Sequence, residues 1–315
     1  MAYELQREES VQDGLRRVAI ELIDTALRQA EHRPDGEDAA VHRGRRACKS
    51  LRALIRLVEP VFEDARAENA CFRDAAQAMS GSRDRLVMWQ TAEKLTATIA
   101  GSVGKRTRTR RVADAMRDEK QAADEAVGGA QPRLESFAAT MRDARERAER
   151  WTLEDHGFDA IRGGLGKRYK QGRHAMAEAR EAGGGGAFHE WRKRAKDFDH
   201  HLRLLTPMWN GPLRATRKQA SKLGDFLGDH HDLALLSDTL AAEPDRYGGE
   251  LAVAPIREAA EAQQRGLEAE ALRLGQRLYA ERRKALLARF EAYWHAWRQP
   301  RRPGRAATPV KRPAA

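Results

Sequence analysis

Two segments of this chain, 147 residues apart, carry the same pattern of side chains, and that repeat limits the folds open to it. When Val41–Pro60 is laid over Phe188–Pro207, His42 meets His189, Arg45 meets Arg192, Arg46 meets Lys193 and Lys49 meets Lys196. Further on, Arg56 meets Arg203, Leu57 meets Leu204 and Pro60 meets Pro207. With one extra residue, Arg83-Asp84 falls on His231-Asp232. Self-similarity at this distance predicts duplication, with two related halves packed about a pseudo-twofold axis.

Helical periodicity supplies the class of fold. In SVQDGLRRVAIELIDTALRQAE the apolar residues Leu15, Val18, Ala19, Leu22, Ile23, Ala26 and Leu27 recur at i, i+3 and i+4 spacing. Similar spacing predicts helices over 39–58, 64–79, 83–100, 105–127, 132–150, 167–182, 188–205, 211–241, 253–270 and 272–297. No segment alternates as a half-buried strand does. Only 6% of residues are aromatic, as expected where Ala, Arg, Glu and Leu dominate. The fold expected is all-α, in two halves at about 5–150 and 151–298. The glycine-rich stretch 151–166 is expected to link them, and the run Gly183–Gly186 reads as a loop. The Pro- and Arg-rich end, 299–315, reads as a disordered basic tail.

Charge is arranged as well as abundant. The chain carries a formal net charge of +11 and a sequence pI near 9.9, which points to an anionic partner. On a helical wheel at about 100° per residue, His42, Arg45, Arg46, Lys49 and Arg56 fall within about 60° of one line, opposite Ala47, Leu51, Leu54, Ile55 and Val58. At 1.5 Å per residue that row is about 21 Å long. His189, Arg192, Lys193, Lys196, His200 and Arg203 repeat it. A solvated face usually mixes charge signs, because like charges one turn apart repel. The stretch 41–56 holds six Lys and Arg and no acid, so two facing rows that grip a polyanion are favoured.

The paired histidine helices, with HEWRKRAKDF at 189–198 and LGDFLGDHHDLALL at 223–236, resemble the CHAD family, helical domains named for their characteristic histidines. LGKRYKQGRHAMAEAR at 165–180 and LRLGQRLYAERRKALLARF at 272–290 are similar to other recurring segments of that family. The likeness spans about 5–298; Gly44 and Ser50 stand where larger or basic residues are expected. The resemblance implies a basic cavity that binds inorganic polyphosphate, and association with polyphosphate granules; no serine or cysteine carries a nucleophile motif, so no catalysis is expected. It also implies that Tyr169, Lys170, Arg173, Arg282 and Lys284 join the binding surface.

Other classes have weaker signals. Nucleic acid is a second possible partner, although stacking aromatics are scarce near the basic helices. A metal-dependent phosphohydrolase could be drawn from His42, His189 and the face Asp225, Asp229 and Asp232, flanked by His230 and His231. Pairing of those carboxylates with the basic helices is the reading preferred, so neither a metal nor a cofactor is expected. GSVGKRT at 101–107 only mimics a phosphate-binding loop, since Ile99 stands at the first glycine position and Arg106 follows the lysine. Cys48 and Cys71 form no CxxC pair, as suits a reducing cytosol. No signal peptide or membrane-spanning run is expected.

Overall fold

A computed structural model of the chain describes residues 3–79, 83–99, 101–126 and 131–300. Ser82, the Gly128-Gly129 break and the tail beyond residue 300 lie outside the described residues, as do the side chains of Arg83 and Asp84. Every regular element among the described residues is helical. The first half runs α1 (Val11–His32), α2 (Glu37–Val58), a 3-10 turn (Glu59–Val61), α3 (Ala65–Ala78), α4 (Arg83–Thr98), α5 (Val103–Ala126) and α6 (Gln131–Ala148). The second runs α7 (Asp159–Ala182), α8 (Gly184–Leu205), a 3-10 turn (Thr206–Met208), α9 (Asn210–Ala242), α10 (Glu250–Leu278) and α11 (Arg283–Arg298).

This order repeats, and so does the packing. α1 lies against α2 and α6, as α7 lies against α8 and α11. α2 packs on α3 as α8 packs on α9, and α4 on α5 as α9 on α10. The single 33-residue helix α9 spans what α3 and α4 cover in two pieces. Both basic helices are 22 residues long, begin after a glycine with positive φ (Gly36 at 89°, Gly183 at 64°) and run into a turn containing Pro60 or Pro207. Glycine adopts that backbone without a Cβ penalty, and proline cannot extend the hydrogen-bonded ladder.

Two cores result, and both draw on the two halves. The larger gathers Leu51, Leu54 and Ile55 of α2 with Leu165 and Tyr169 of α7, Trp191 and Phe198 of α8, and Phe290 of α11. The smaller closes Leu95, Val112 and Met116 of the α4–α5 hairpin onto Leu233, Leu236, Val253 and Ile256 of α9 and α10.

Three boundaries differ from expectation, each for a physical reason. The glycine run is not a loop: Gly184, Gly185 and Gly186 form the first turn of α8, where the backbone N–H groups need no helical partner. Only Gly183 and Gly184 have the positive φ that turns the chain. The expected linker ends at residue 158, and Gly163, Gly164 and Gly166 lie inside α7, where their bare backbones let other elements approach. α10 runs unbroken from Glu250 to Leu278 with Pro255 inside it, and the break comes at residues 279–282 rather than 271.

Candidate functional site

The apolar stripe of α2 does what its spacing requires: Ala47, Leu51, Leu54, Ile55 and Val58 are buried. The opposite row is divided among neighbours. His42, Arg46 and Lys49 are exposed. Arg45 turns sideways and donates from Nη1 to the Ala76 carbonyl of α3 at 2.6 Å. Arg52 donates to Asn69 at 3.0 Å. Arg56 reaches across to α8, its Nη1 lying 2.7 Å from Asp197 Oδ1. Gly44 is buried where a Cβ would lie 3.1 Å from Met79 and Phe137, which explains why no larger residue stands there.

On α8 the row lies along α9. A Cβ on Gly224 would sit 2.7 Å from Lys196 Cε, and one on Gly228 would sit 3.6 Å from Arg192 Nε. The two glycines of LGDFLGD therefore form a smooth track under α8's cations. Lys196 Nζ stands 3.2 Å from Asp225, and exposed Lys193 pairs with Glu190 at 2.5 Å. The ring of His189 stacks near that of His231, with centroids 4.2 Å apart.

The two helices meet toward their C-terminal halves. His201 Nε2 is 2.9 Å from the Ala53 carbonyl, beside the Arg56–Asp197 pair. An N-terminal strap closes one flank: Leu5 N–H donates to Leu204 O at 3.0 Å, and Tyr3 OH donates to the Ser50 carbonyl at 3.2 Å. Arg203 lies over the Tyr3 ring, 5.4 Å from its centroid. Tyr3, Arg43, Arg46, Ser50 and Arg203 line a cavity of about 380 Å³ there, with Glu21 on its wall. Burial pushes the Arg203 guanidinium below its ordinary value, and the charges of Arg217 and Arg46 push it the same way. Arg52 is lowered chiefly by burial, then by the charge of Arg56. Like charges here repel one another, although Asp199 lies 3.7 Å from Arg217 and offsets part of that, and an anion beside Arg46 and Arg203 would relieve more of it.

Three histidines of α8 have their titration displaced by burial. Burial, reinforced by His231, Lys193 and Arg192, lowers His189 to about 4. Burial does the same for His200 and His201, also to about 4, against opposing attraction from Asp197. All three are neutral near pH 7. The unfolded chain takes up their protons near pH 6.5, whereas the folded chain resists until about 4. Stability should therefore be unaffected by these groups above pH 6.5 and should fall as pH drops from 6.5 to 4. Urea midpoints measured across that window check this, and a flat profile would contradict it.

The five residues placed by resemblance are scattered. Tyr169 is 0% exposed, its hydroxyl donating to the Glu281 carbonyl at 3.0 Å while its ring packs against Phe198 and Tyr279. That corrects its assignment to a ligand surface: it is a core residue. Lys170 and Arg173 line a separate groove between α7 and α10. Arg282 and Lys284 are exposed at the start of α11.

The acidic face of α9 divides in the same way. Asp225 is drawn to Lys196, while Asp229 and Asp232 border a cleft with Lys94 of α4 and Gln263 of α10. No group of three or more His, Cys, Asp or Glu side chains among the described residues is placed to hold a metal ion. GSVGKRT straddles the start of α5, with Gly101 at φ 149° and Ser102 Oγ accepting from the Lys105 N–H at 3.3 Å.

Several residues escape sequence reasoning. Asp197 stood inside the quoted HEWRKRAKDF, but its partner is 141 residues away. Tyr3 and Arg217 reach the site only through tertiary packing. Gly224 and Gly228 carried a signal, being two glycines one turn apart inside an apolar helix.

Fold and site together define an all-helical domain built on a repeated basic helix. The chain belongs to the CHAD domain family, whose model matches residues 18–241. It is similar to the crystal structure of the CHAD domain from the plant Ricinus communis, at 18% sequence identity and a TM-score of 0.52, covering 94% of this chain and 95% of that one. At that identity the likeness concerns the fold. No curated protein matches the chain. No helix among the described residues is long and apolar enough to cross a membrane.

Proposed function

We propose that this protein binds inorganic polyphosphate at the crossing of α2 and α8 and does not cleave it. The observation that carries this reading is the cavity at the crossing, into which α2 brings Arg43 and Arg46 and α8 brings Arg203. Arg192, Lys193 and Lys196 extend the charge along α8, and His42 and Lys49 extend it along α2. Arginine grips phosphate oxygens through two parallel N–H donors, and lysine adds a compact charge. A polyphosphate chain passes in single file, whereas a nucleic-acid duplex is far too wide for a cavity of about 380 Å³. Arg45 and Arg56, held by Ala76 and Asp197, position helices rather than ligand. Membership of the CHAD family supports the same ligand, and association with polyphosphate granules in the cytoplasm is part of the same proposal.

Calorimetry with long-chain polyphosphate at about 50 and about 200 mM salt tests the reading. The variant Arg46→Ala/Lys49→Ala/Lys196→Ala/Arg203→Ala should bind at least about a hundredfold more weakly, since hydrogen bonds to charged groups are among the strong ones. The slope of log affinity against log salt should fall by about one per phosphate-contacting cation removed. Duplex DNA should compete poorly. An unaffected variant, or equal affinity for DNA, would overturn the proposal. Metal-dependent release of phosphate from polyphosphate would overturn its non-catalytic part.

A further inference from the structure

A second cavity of about 380 Å³ lies between α7 and α10, lined by different residues from the crossing. Along α7 it presents Lys170, Arg173, His174 and Arg180, a cationic edge about 15 Å long at the helical rise. No carboxylate pairs with Lys170 or Arg173 among the described residues. His174 lies 3.3 Å from Glu178, and Arg180 is 3.8 Å from Glu181.

The rest of the groove differs in kind from the crossing. Met176 and Ala177 of α7 face Leu272 of α10, and Gln276 stands one turn beyond Leu272. Tyr279, 3% exposed, completes the lining. Its hydroxyl is directed at Gly172, where a Cβ would lie 2.5 Å away. The hydroxyl neighbours the Trp191 indole, yet neither Tyr279 OH nor Trp191 Nε1 finds hydrogen-bonding geometry among the described residues. The groove thus joins a cationic edge, an apolar floor and one amide able both to donate and to accept.

Polyphosphate alone fits this combination poorly. It has no apolar part to place on Met176 and Leu272, and covering them with a charged chain would strip water from phosphate without return. A ligand with a planar, weakly polar head and an anionic tail suits the cationic edge, the apolar floor and the amide. The head lies on the apolar floor, Gln276 meets the donors and acceptors on its edge, and Lys170, Arg173 and Arg180 take the tail. We infer that the α7–α10 groove is a second ligand site, and that it takes a nucleoside polyphosphate. The inference is independent of the reading for the crossing, because the two sites share no lining residue.

The test compares ATP with inorganic tripolyphosphate, which has a similar anionic tail and no nucleoside. Calorimetry is performed on the full chain carrying Arg46→Ala/Arg203→Ala, which disables the crossing, and on the same protein with Arg173→Ala/Arg180→Ala added. The first protein should bind ATP about tenfold or more tightly than tripolyphosphate, and the second should lose about tenfold or more of that affinity. Leu272→Ala, which trims the apolar floor without adding charge, should weaken ATP while leaving tripolyphosphate unchanged. Equal binding of ATP and tripolyphosphate would overturn the nucleoside assignment. So would ATP binding that survives the groove substitutions, or that is already absent when only the crossing is disabled. The wild-type protein with Arg173→Ala/Arg180→Ala alone should keep its affinity for long-chain polyphosphate, so failure at one site is distinguishable from failure at the other.

Discussion

Asp197→Ala should cost about 3–5 kcal/mol of stability, the range for deleting one partner of a buried ion pair. The Asp197 side chain is 5% exposed and lies 2.7 Å from Arg56, itself 19% exposed. Arg168 of α7, also buried, shares the field of that carboxylate and pairs with Glu59 as well. Removing Asp197 therefore strands Arg56 and takes one of two nearby carboxylates from Arg168, in a region where burial already lowers Arg168 below its ordinary value. The loss is not the strength of one contact; it is the solvation the arginines cannot recover. A urea titration followed by circular dichroism should show the midpoint falling sharply. Asp197→Ala combined with Arg56→Met should regain part of the loss, because it removes one stranded charge. A single variant as stable as wild type would show that water reaches this cluster and that the helices do not depend on it.

Gly164→Ala should be as damaging, although it adds only a methyl group. A Cβ at that position would lie 1.8 Å from the Leu57 carbonyl oxygen and 2.6 Å from that of Arg56. These are backbone atoms of α2 and cannot rotate away as a side-chain tip would. α7 must then move off α2, opening the larger core around Leu57, Ile161 and Leu165, each 0% exposed. Overpacking usually costs about 1–3 kcal/mol, and a clash with backbone belongs at or above the top of that range. Gly186→Ala is the matched control, since nothing lies within 4 Å of its Cβ position; it should be neutral or slightly stabilising. Similar thermal midpoints for the two variants would mean that α7 can shift without disturbing the core.

The helices were readable in the sequence because their apolar spacing is a local property. The repeat was readable too, because duplication leaves His42 over His189 and Pro60 over Pro207. The glycine positions misled because glycine has two uses that look alike in one dimension. Gly183 turns the chain, whereas Gly164 admits a neighbouring helix, and only the position of Leu57 separates the two cases. The basic row misled in a related way. A wheel places Arg45, Arg46 and Arg56 on one face, but α3 draws Arg45 aside and Asp197 claims Arg56, leaving Arg46 at the cavity. Tyr169 was placed on the binding surface by the family resemblance. Its burial is decided by Phe198 and Tyr279, 29 and 110 positions away.

Each half of the chain contributes to two cores, one around α2, α7 and α8 and one where the α4–α5 and α9–α10 hairpins join. A hinge needs a line about which one body turns freely, and two separate shared cores remove that freedom. The two shared cores argue for a crossing of fixed width rather than a jaw that shuts. Under the proposed function, a flexible anionic chain bound there would give up its own disorder while the protein gave up little. Affinity should accordingly favour ligands already stiff or extended in solution, and the encounter should proceed without a closing step.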